Sequence, residues 1–493
     1  MECGKGDRVI HPLWGPGVVE AKLVVGRVRV VFDRGARLTR TVHRYELTSG
    51  LEQAPEPAPK AKAKAKAKAK PAPKAKATPK AKAKPAPKAR PKLKAEPAPP
   101  SADLTHPQLA PADAWQTMEA LRLGVVPARG VRAYTVARDK ELADIDAVLA
   151  EGQGCRVVWG DYGAGKTHLL DAAEQLGLER GFAVARMTLD PREQAMHKPL
   201  RLYRAIMNSV RTRDSMRPGF ESLLEPLKDS PEHYRPGGEH FSRFFSPYLH
   251  ATRSGEEVLE GWLRDYVRGD NVPAEYVNMA LSHCDWRGPR VLAMPDYRTY
   301  GRMYIHLIGT LACWIKDAGA KGLLLVFDEV ERVDALRRED QGYAFQVLRH
   351  YTAATMLRED LAFDPDRLYR GGAAVHRDIP LQFREQQPLV SLFALTPLEE
   401  ITERFHGVTL SNAYDIVLGP LRSELLPELV ERVGVLYAQA YPAYQIPADL
   451  GRRIVDRIRP ELDGGHDSFR DAVRATVFLH DEDRLRRATG DVE

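Results

Sequence analysis

Gly160-Asp161-Tyr162-Gly163-Ala164-Gly165-Lys166-Thr167 closes a short apolar run, Arg156-Val157-Val158-Trp159, and opens a helical pattern beginning at His168. The stretch fits G-x-x-x-x-G-K-[ST] in full, and its place between a strand and a helix is the context a phosphate-binding loop requires. Gly160, Gly163 and Gly165 let the backbone turn tightly and bring N–H groups to phosphate oxygens, while the helix after the loop presents its positive end to the same anion. Lys166 is then the candidate for the β- and γ-phosphates and Thr167 the candidate Mg²⁺ ligand. Together with Asp161, Tyr162, Ala164 and His168 these residues form the expected nucleotide contact set, and ATP with Mg²⁺ the expected ligands.

A second stretch completes the chemistry. Lys321-Gly322-Leu323-Leu324-Leu325-Val326-Phe327-Asp328-Glu329 reads as a continuous apolar strand ending in two acids, the pattern of a buried central strand in a parallel sheet. Asp328 is the expected Mg²⁺ ligand and Glu329 the residue that polarises an attacking water. Such a strand is common by itself; the phosphate loop upstream is what gives it meaning. Further apolar runs at Phe182–Met187 and Leu389–Pro397 supply two more strands, and residues 200 to 320 read as a largely helical insertion. Its final helix spaces Tyr300, Tyr304, Leu307, Leu311 and Trp314 as a packing stripe. Pro420 to Val477 is expected to be helical.

Composition sets the remaining bounds. At 493 residues and 43% hydrophobic content the chain is long enough for several domains with a sizeable core. Cys3, Cys155, Cys284 and Cys313 are scattered, so neither a disulfide framework nor a zinc site is indicated, and a reducing cytoplasm is the expected location. No apolar run approaches a membrane span. Between Lys60 and Lys94 lie 14 lysines and Arg90 with no acid, a charge of +15; against +6 for the whole chain, the remainder carries −9. The basic character therefore belongs to one Lys-Ala-Pro segment, residues 51–105, which cannot bury enough apolar surface to order itself. It is expected to act either as a salt-sensitive, sequence-blind DNA contact or as a solubilising spacer.

Ahead of it, residues 1–50 read as a small all-β module. Strands are expected at Asp7–His11, Val18–Val25, Val28–Phe32 and Leu38–Val42, with turns at Gly15-Pro16-Gly17 and Asp33–Ala36. His11-Pro12, Trp14-Gly15, Gly17, Val30 to Asp33 and Gly35 resemble the SH3- or Tudor-like barrels of the CarD type and of UvrD-type helicase tails. That resemblance implies docking on RNA polymerase or another protein; an accessory barrel with no dedicated partner is the alternative.

After the linker, Arg138-Asp139-Lys140-Glu141-Leu142 resembles the box before the phosphate loop in ORC- and STAND-like AAA+ ATPases, which implies adenine contacts at Tyr134 and Val136. Otherwise it is a solvated helix face. In AAA+ proteins the strand beside the Asp-Glu strand ends in a polar γ-phosphate sensor, whose counterpart Thr396 resembles, and the same resemblance implies a sensor arginine from the C-terminal helices, Arg470 ahead of Arg474. The strings GDYGAGKTHLL (160–170), LDPREQAMHKPLRLYRAIM (189–207), DAGAKGLLLVFDEVERV (317–333), SLFALTP (391–397) and SFRDAVRATVFLHD (468–481) together resemble the ATP-binding P-loop proteins of BREX phage-exclusion systems, BrxD type. The resemblance spans residues 112 to 485. It implies an α/β AAA+-like ATPase domain over 106–418, a helical C-terminal region over 419–493, and action beside a helicase in phage defence. The alternative is a slow STAND-like switch; a kinase would need a phosphoacceptor site that the sequence does not display. Arg337, Arg338, Arg349 and Arg377 remain open as arginine fingers, and a homo-oligomer is open with them.

Overall fold

A computed structural model describes residues 8–11, 15–22, 27–32, 38–43, 48–49 and 108–489, apart from 128, 216, 358–378, 410–411, 420–421 and 464–468. The chain divides into two compact units, Met1–Glu96 and Pro97–Glu493. The Lys-Ala-Pro segment 51–105, the turn at 33–36, Cys3 and Arg377 lie outside the described residues.

In the first unit, β1 (Arg8–His11), β2 (Gly15–Lys22), β3 (Arg27–Phe32), β4 (Leu38–His43) and β5 (Thr48–Ser49) form an antiparallel sheet in the order β4-β3-β2-β1-β5. The expected turn at Gly15-Pro16-Gly17 is instead the start of β2. Pro16 pairs opposite Ile10, and Gly17 lies between Val9 and Phe32. A proline is tolerated near the first residue of a strand, and two flanking partners outweigh the local preference for a turn. Among the described residues β4 and β5 are the edges of this sheet and do not pair with one another.

The second unit is built on five parallel strands: β6 (Gly154–Trp159), β7 (Ala183–Thr188), β8 (Leu323–Asp328), β9 (Leu389–Leu395) and β10 (Asp415–Val417), in the order β10-β6-β9-β8-β7. Both faces are covered, which is why Leu323–Phe327 of β8 reads as an unbroken apolar run and β9 is apolar apart from Ser391. Val157, Leu325 and Phe393 point into one core and Val158, Leu324 and Leu392 into the other. β10 is an addition to the sequence expectation, a three-residue strand completing the edge beside β6.

The helices before and between the strands are α1 (Pro111–Arg122), α2 (Asp139–Glu151), α3 (Lys166–Glu179) and α4 (Pro199–Ser209). The stretch after α4 holds α5 (Glu221–Leu224), α6 (Pro231–Tyr234), α7 (Ser246–Ser254), α8 (Glu257–Arg268), α9 (Ala274–Leu281) and α10 (Gly301–Asp317). Then come α11 (Arg338–Thr355), α12 (Glu399–Thr409), α13 (Leu426–Ala440), α14 (Leu450–Asp463) and α15 (Phe469–Thr489). The helices from α4 to α10 share a single core with one sheet face; Tyr304, Leu307, Leu311 and Trp314 of α10 are all buried in it, so that stripe is packing. On the other face α3 packs with α1, α2 and α13–α15. Helical structure at the C-terminal end runs on to Thr489, past the expected Val477. Among the described residues no helix is long and apolar enough to cross a membrane.

Candidate functional site

In a parallel sheet the strand C-terminal ends share one edge, and ligands gather there. Here that edge brings together the loop after β6, the acids after β8 and Thr396 after β9. Gly160 N–H donates to the Leu395 carbonyl (3.2 Å), which pins the start of the loop to β9. Gly163 and Gly165 take positive φ, +82° and +86°, and Gly165 caps α3, so side chains at either position would be strained. Gly160 is held differently: a Cβ there would meet Ala164 and Leu418 at 3.2 Å.

Lys166 and Thr167 begin α3. The Lys166 ammonium donates to the carbonyls of Gly160 (2.8 Å) and Asp161 (3.2 Å) and to Thr396 Oγ1 (3.0 Å). Thr396 Oγ1 in turn donates to Glu331 Oε1 at 2.7 Å. Asp328 is buried at the end of β8; Oδ1 accepts the N–H of Glu329 (3.0 Å) and Oδ2 accepts from Arg186 (3.1 Å). Glu329 sits at φ +57°, a strained backbone for a residue with a side chain, and its carboxylate accepts from Arg332 at 2.6 Å.

These groups line one cavity of about 490 Å³. Tyr162, Gly163, Gly165, Lys166, Thr167 and His168 of the loop face it, as do Asp328, Glu329 and Thr396. Arg470 and Arg474, one turn apart on α15, both reach it, so the structure does not separate the two candidates. Tyr134, which packs against His168, and Val136 also line it, with Leu121, Val125, Val126 and Val473 as further apolar groups. Gly160, Asp161 and Ala164 are not on the wall and act through the backbone. Arg337, Arg338 and Arg349 also lie off the wall; Arg349 donates to the Gly407 carbonyl (3.0 Å).

Arg186 and Glu331 enter the site without having stood out in the sequence, while Arg138 and His168, both in stretches singled out there, gain partners the sequence did not specify. Arg138 is buried and donates to the carbonyls of Ala164 (2.8 Å) and Gly419 (3.0 Å), so it is a clamp on the loop rather than part of a solvated helix face. Burial lowers its pKa, with Glu141 opposing. His168, whose Nε2 lies 2.9 Å from Thr135 Oγ1, is pushed down to about 4 by burial and by Arg138, so it is neutral near pH 7. Arg186, on β7, joins Asp171 of α3 to Asp328 of β8 and lies 3.7 Å from Glu174. Burial raises the Asp171 pKa, while Arg186 opposes the rise. For Glu331, the place of an acid two residues past Glu329 was the available sign.

Against known proteins, a family model described as BREX system ATP-binding protein BrxC/D matches residues 109–228, which hold the phosphate loop, Arg138, Asp171 and Arg186. The chain is similar to that family over this stretch. No curated protein matches it.

Proposed function

We propose that this chain binds ATP in the cavity and hydrolyses it to ADP, as an AAA+-type ATPase serving a nucleic-acid-associated assembly in phage exclusion. The observation that carries the proposal is the convergence of Lys166, Thr167, Asp328, Glu329 and Thr396 on one cavity at the strand ends. Similarity to the BREX ATP-binding family over residues 109–228 supports the nucleotide and the defence setting.

Each role follows from side-chain chemistry. Lys166 would exchange its carbonyl partners for the β- and γ-phosphates, with the loop N–H groups around the same oxygens. The Thr167 hydroxyl and the Asp328 carboxylate are hard oxygen donors on the cavity wall, a set that fits Mg²⁺, and each Asp328 oxygen keeps a lone pair beyond its present hydrogen bond. Bound there, Mg²⁺ would supply charge neutralisation for the phosphates. Glu329 would orient the attacking water, Thr396 would face the γ-phosphate, and Arg470 or Arg474 would meet phosphate charge from α15. The apolar groups Tyr134, Val136, Val125 and Val126 would take adenine. The basic segment 51–105 would contact DNA, with a helicase as partner, and β1–β5 would belong to a protein-docking barrel. A homo-oligomer would supply a finger arginine in trans.

One observation favours a second reading, a slow switch that retains ATP. The carboxylate of Glu329 is engaged by Arg332 rather than presented to a water. Steady-state hydrolysis with and without DNA separates the two. Turnover that falls at least about 100-fold in Glu329→Gln, with ATP binding retained, fits the ATPase; tight retention with negligible turnover in the wild type fits the switch.

A further inference from the structure

We infer that Glu331 is a positioning residue that tunes discrimination between ATP and ADP by competing with a terminal phosphate for the one proton of the Thr396 hydroxyl. The inference rests on the cavity being an ATP site. It starts from who can donate to whom. A lysine ammonium has donors and no acceptor, and an ionised carboxylate has acceptors and no donor. Thr396 stands between one of each, 3.0 Å from Lys166 Nζ and 2.7 Å from Glu331 Oε1. Its hydroxyl oxygen must therefore face the lysine, and its single proton must lie on the glutamate.

Glu331 is not placed like its neighbour. Glu329 is 40% exposed and paired with Arg332. Glu331 is half-buried, and its second oxygen, Oε2, is enclosed and meets no donor among the described residues. The Thr396 proton is thus the hydrogen bond the structure gives to this carboxylate, and losing it would leave a partly enclosed anion unsatisfied.

A terminal phosphate oxygen beside Lys166 is an acceptor, so Thr396 can bind it only by donating. Donating there means leaving Glu331. ATP therefore forces the hydroxyl to turn and sets two anions, carboxylate and phosphate, near one another. ADP ends one phosphate earlier and leaves the Glu331–Thr396–Lys166 chain intact. Glu331 accordingly weakens ATP relative to ADP, and loss of the γ-phosphate restores its hydrogen bond.

The test uses the full chain with Mg²⁺ and measures dissociation constants for ADP and a non-hydrolysable ATP analogue by calorimetry. Glu331→Ala is expected to tighten the ATP analogue relative to ADP by about tenfold, the scale of one hydrogen bond to a charged group. Glu331→Gln keeps an acceptor oxygen and the side-chain shape, so it is expected to shift the ratio in the same direction by less. In a Thr396→Val background, adding Glu331→Ala is expected to move the ratio much less, because no proton is left to compete for and only the repulsion between the two anions is relieved. Equal effects on both nucleotides, or a shift of undiminished size without the Thr396 hydroxyl, overturn the inference. The underlying ATP assignment fails separately: it falls if the wild type binds neither nucleotide, and it stands if both bind and depend on Lys166.

Discussion

Replacing Arg186 by methionine would remove the cation that joins α3 to β8 beneath the cavity. Its side chain is 21% exposed, against 10% for Asp171 and 6% for Asp328, so both carboxylates would stay enclosed without their partner. Breaking a buried ion pair from one side costs about 3–5 kcal/mol, because the remaining charge keeps its desolvation penalty. Unfolding entropy of about 2.1 cal/mol/K per residue gives a unit the size of Pro97–Glu493 about 0.8 kcal/mol/K, so the melting temperature should fall by about 4 to 6 °C at pH 8. The sign with pH follows from Asp171, whose folded-state pKa is already raised by burial and would rise further without Arg186. A carboxyl whose pKa is raised on folding stabilises the fold below its unfolded value, about 3.9, and loses that contribution as pH rises through the folded value. The deficit of Arg186→Met should thus shrink as pH falls toward 4. Differential scanning calorimetry of both proteins at pH 4.5 and pH 8 checks it, and Asp171→Asn in the same background should recover part of the loss at pH 8. A melting temperature within 1 °C of wild type at pH 8, or a deficit of equal size at both pH values, would refute the ion-pair reasoning.

Other perturbations address the loop, the second acid and the basic segment. Arg332→Ala frees the Glu329 carboxylate and is expected to raise ATP turnover several-fold, read by phosphate release; unchanged turnover would show that the pair at 2.6 Å does not restrain Glu329. Arg138→Met leaves the Ala164 and Gly419 carbonyls without their donor and should weaken nucleotide affinity about tenfold by calorimetry, with a stability loss of about 1–3 kcal/mol. Deleting residues 52–100 should abolish DNA binding that weakens steeply between low and moderate salt; DNA affinity equal to wild type in a salt titration would leave the segment as a spacer.

The parts of this site that could be seen in the sequence share one property: their function is written in local spacing. Gly160 to Thr167 must be a glycine-rich turn between strand and helix, and Leu323 to Phe327 must be apolar throughout because both sheet faces are covered. Arg138, Arg186 and Glu331 are the opposite case. Each lies in a charged or mixed stretch that reads equally well as surface, and only partners far off in the chain turn it inward. Arg186 faces Asp328 because β7 and β8 run side by side in register, Thr188 opposite Asp328. β10 escaped notice because three residues carry no period; its identity comes from β6, which it pairs from Asp415↔Val157 to Val417↔Trp159. Arg470 and Arg474 stayed indistinguishable because one helical turn puts both on the same face.

The sheet order also governs when this protein can first become competent. β6, which carries the phosphate loop, has neither neighbour nearby in sequence: Gly154 waits for Val390 of β9, and Val157 for Asp415 of β10. Lys166 and Thr396 lie 230 residues apart along the chain. A chain emerging from the ribosome therefore exposes the apolar β6 and α3 long before the strands that cover them exist, and such high-contact-order species are slow to close and prone to aggregate. A truncated product ending before β9 would carry the complete nucleotide signature and still lack the site.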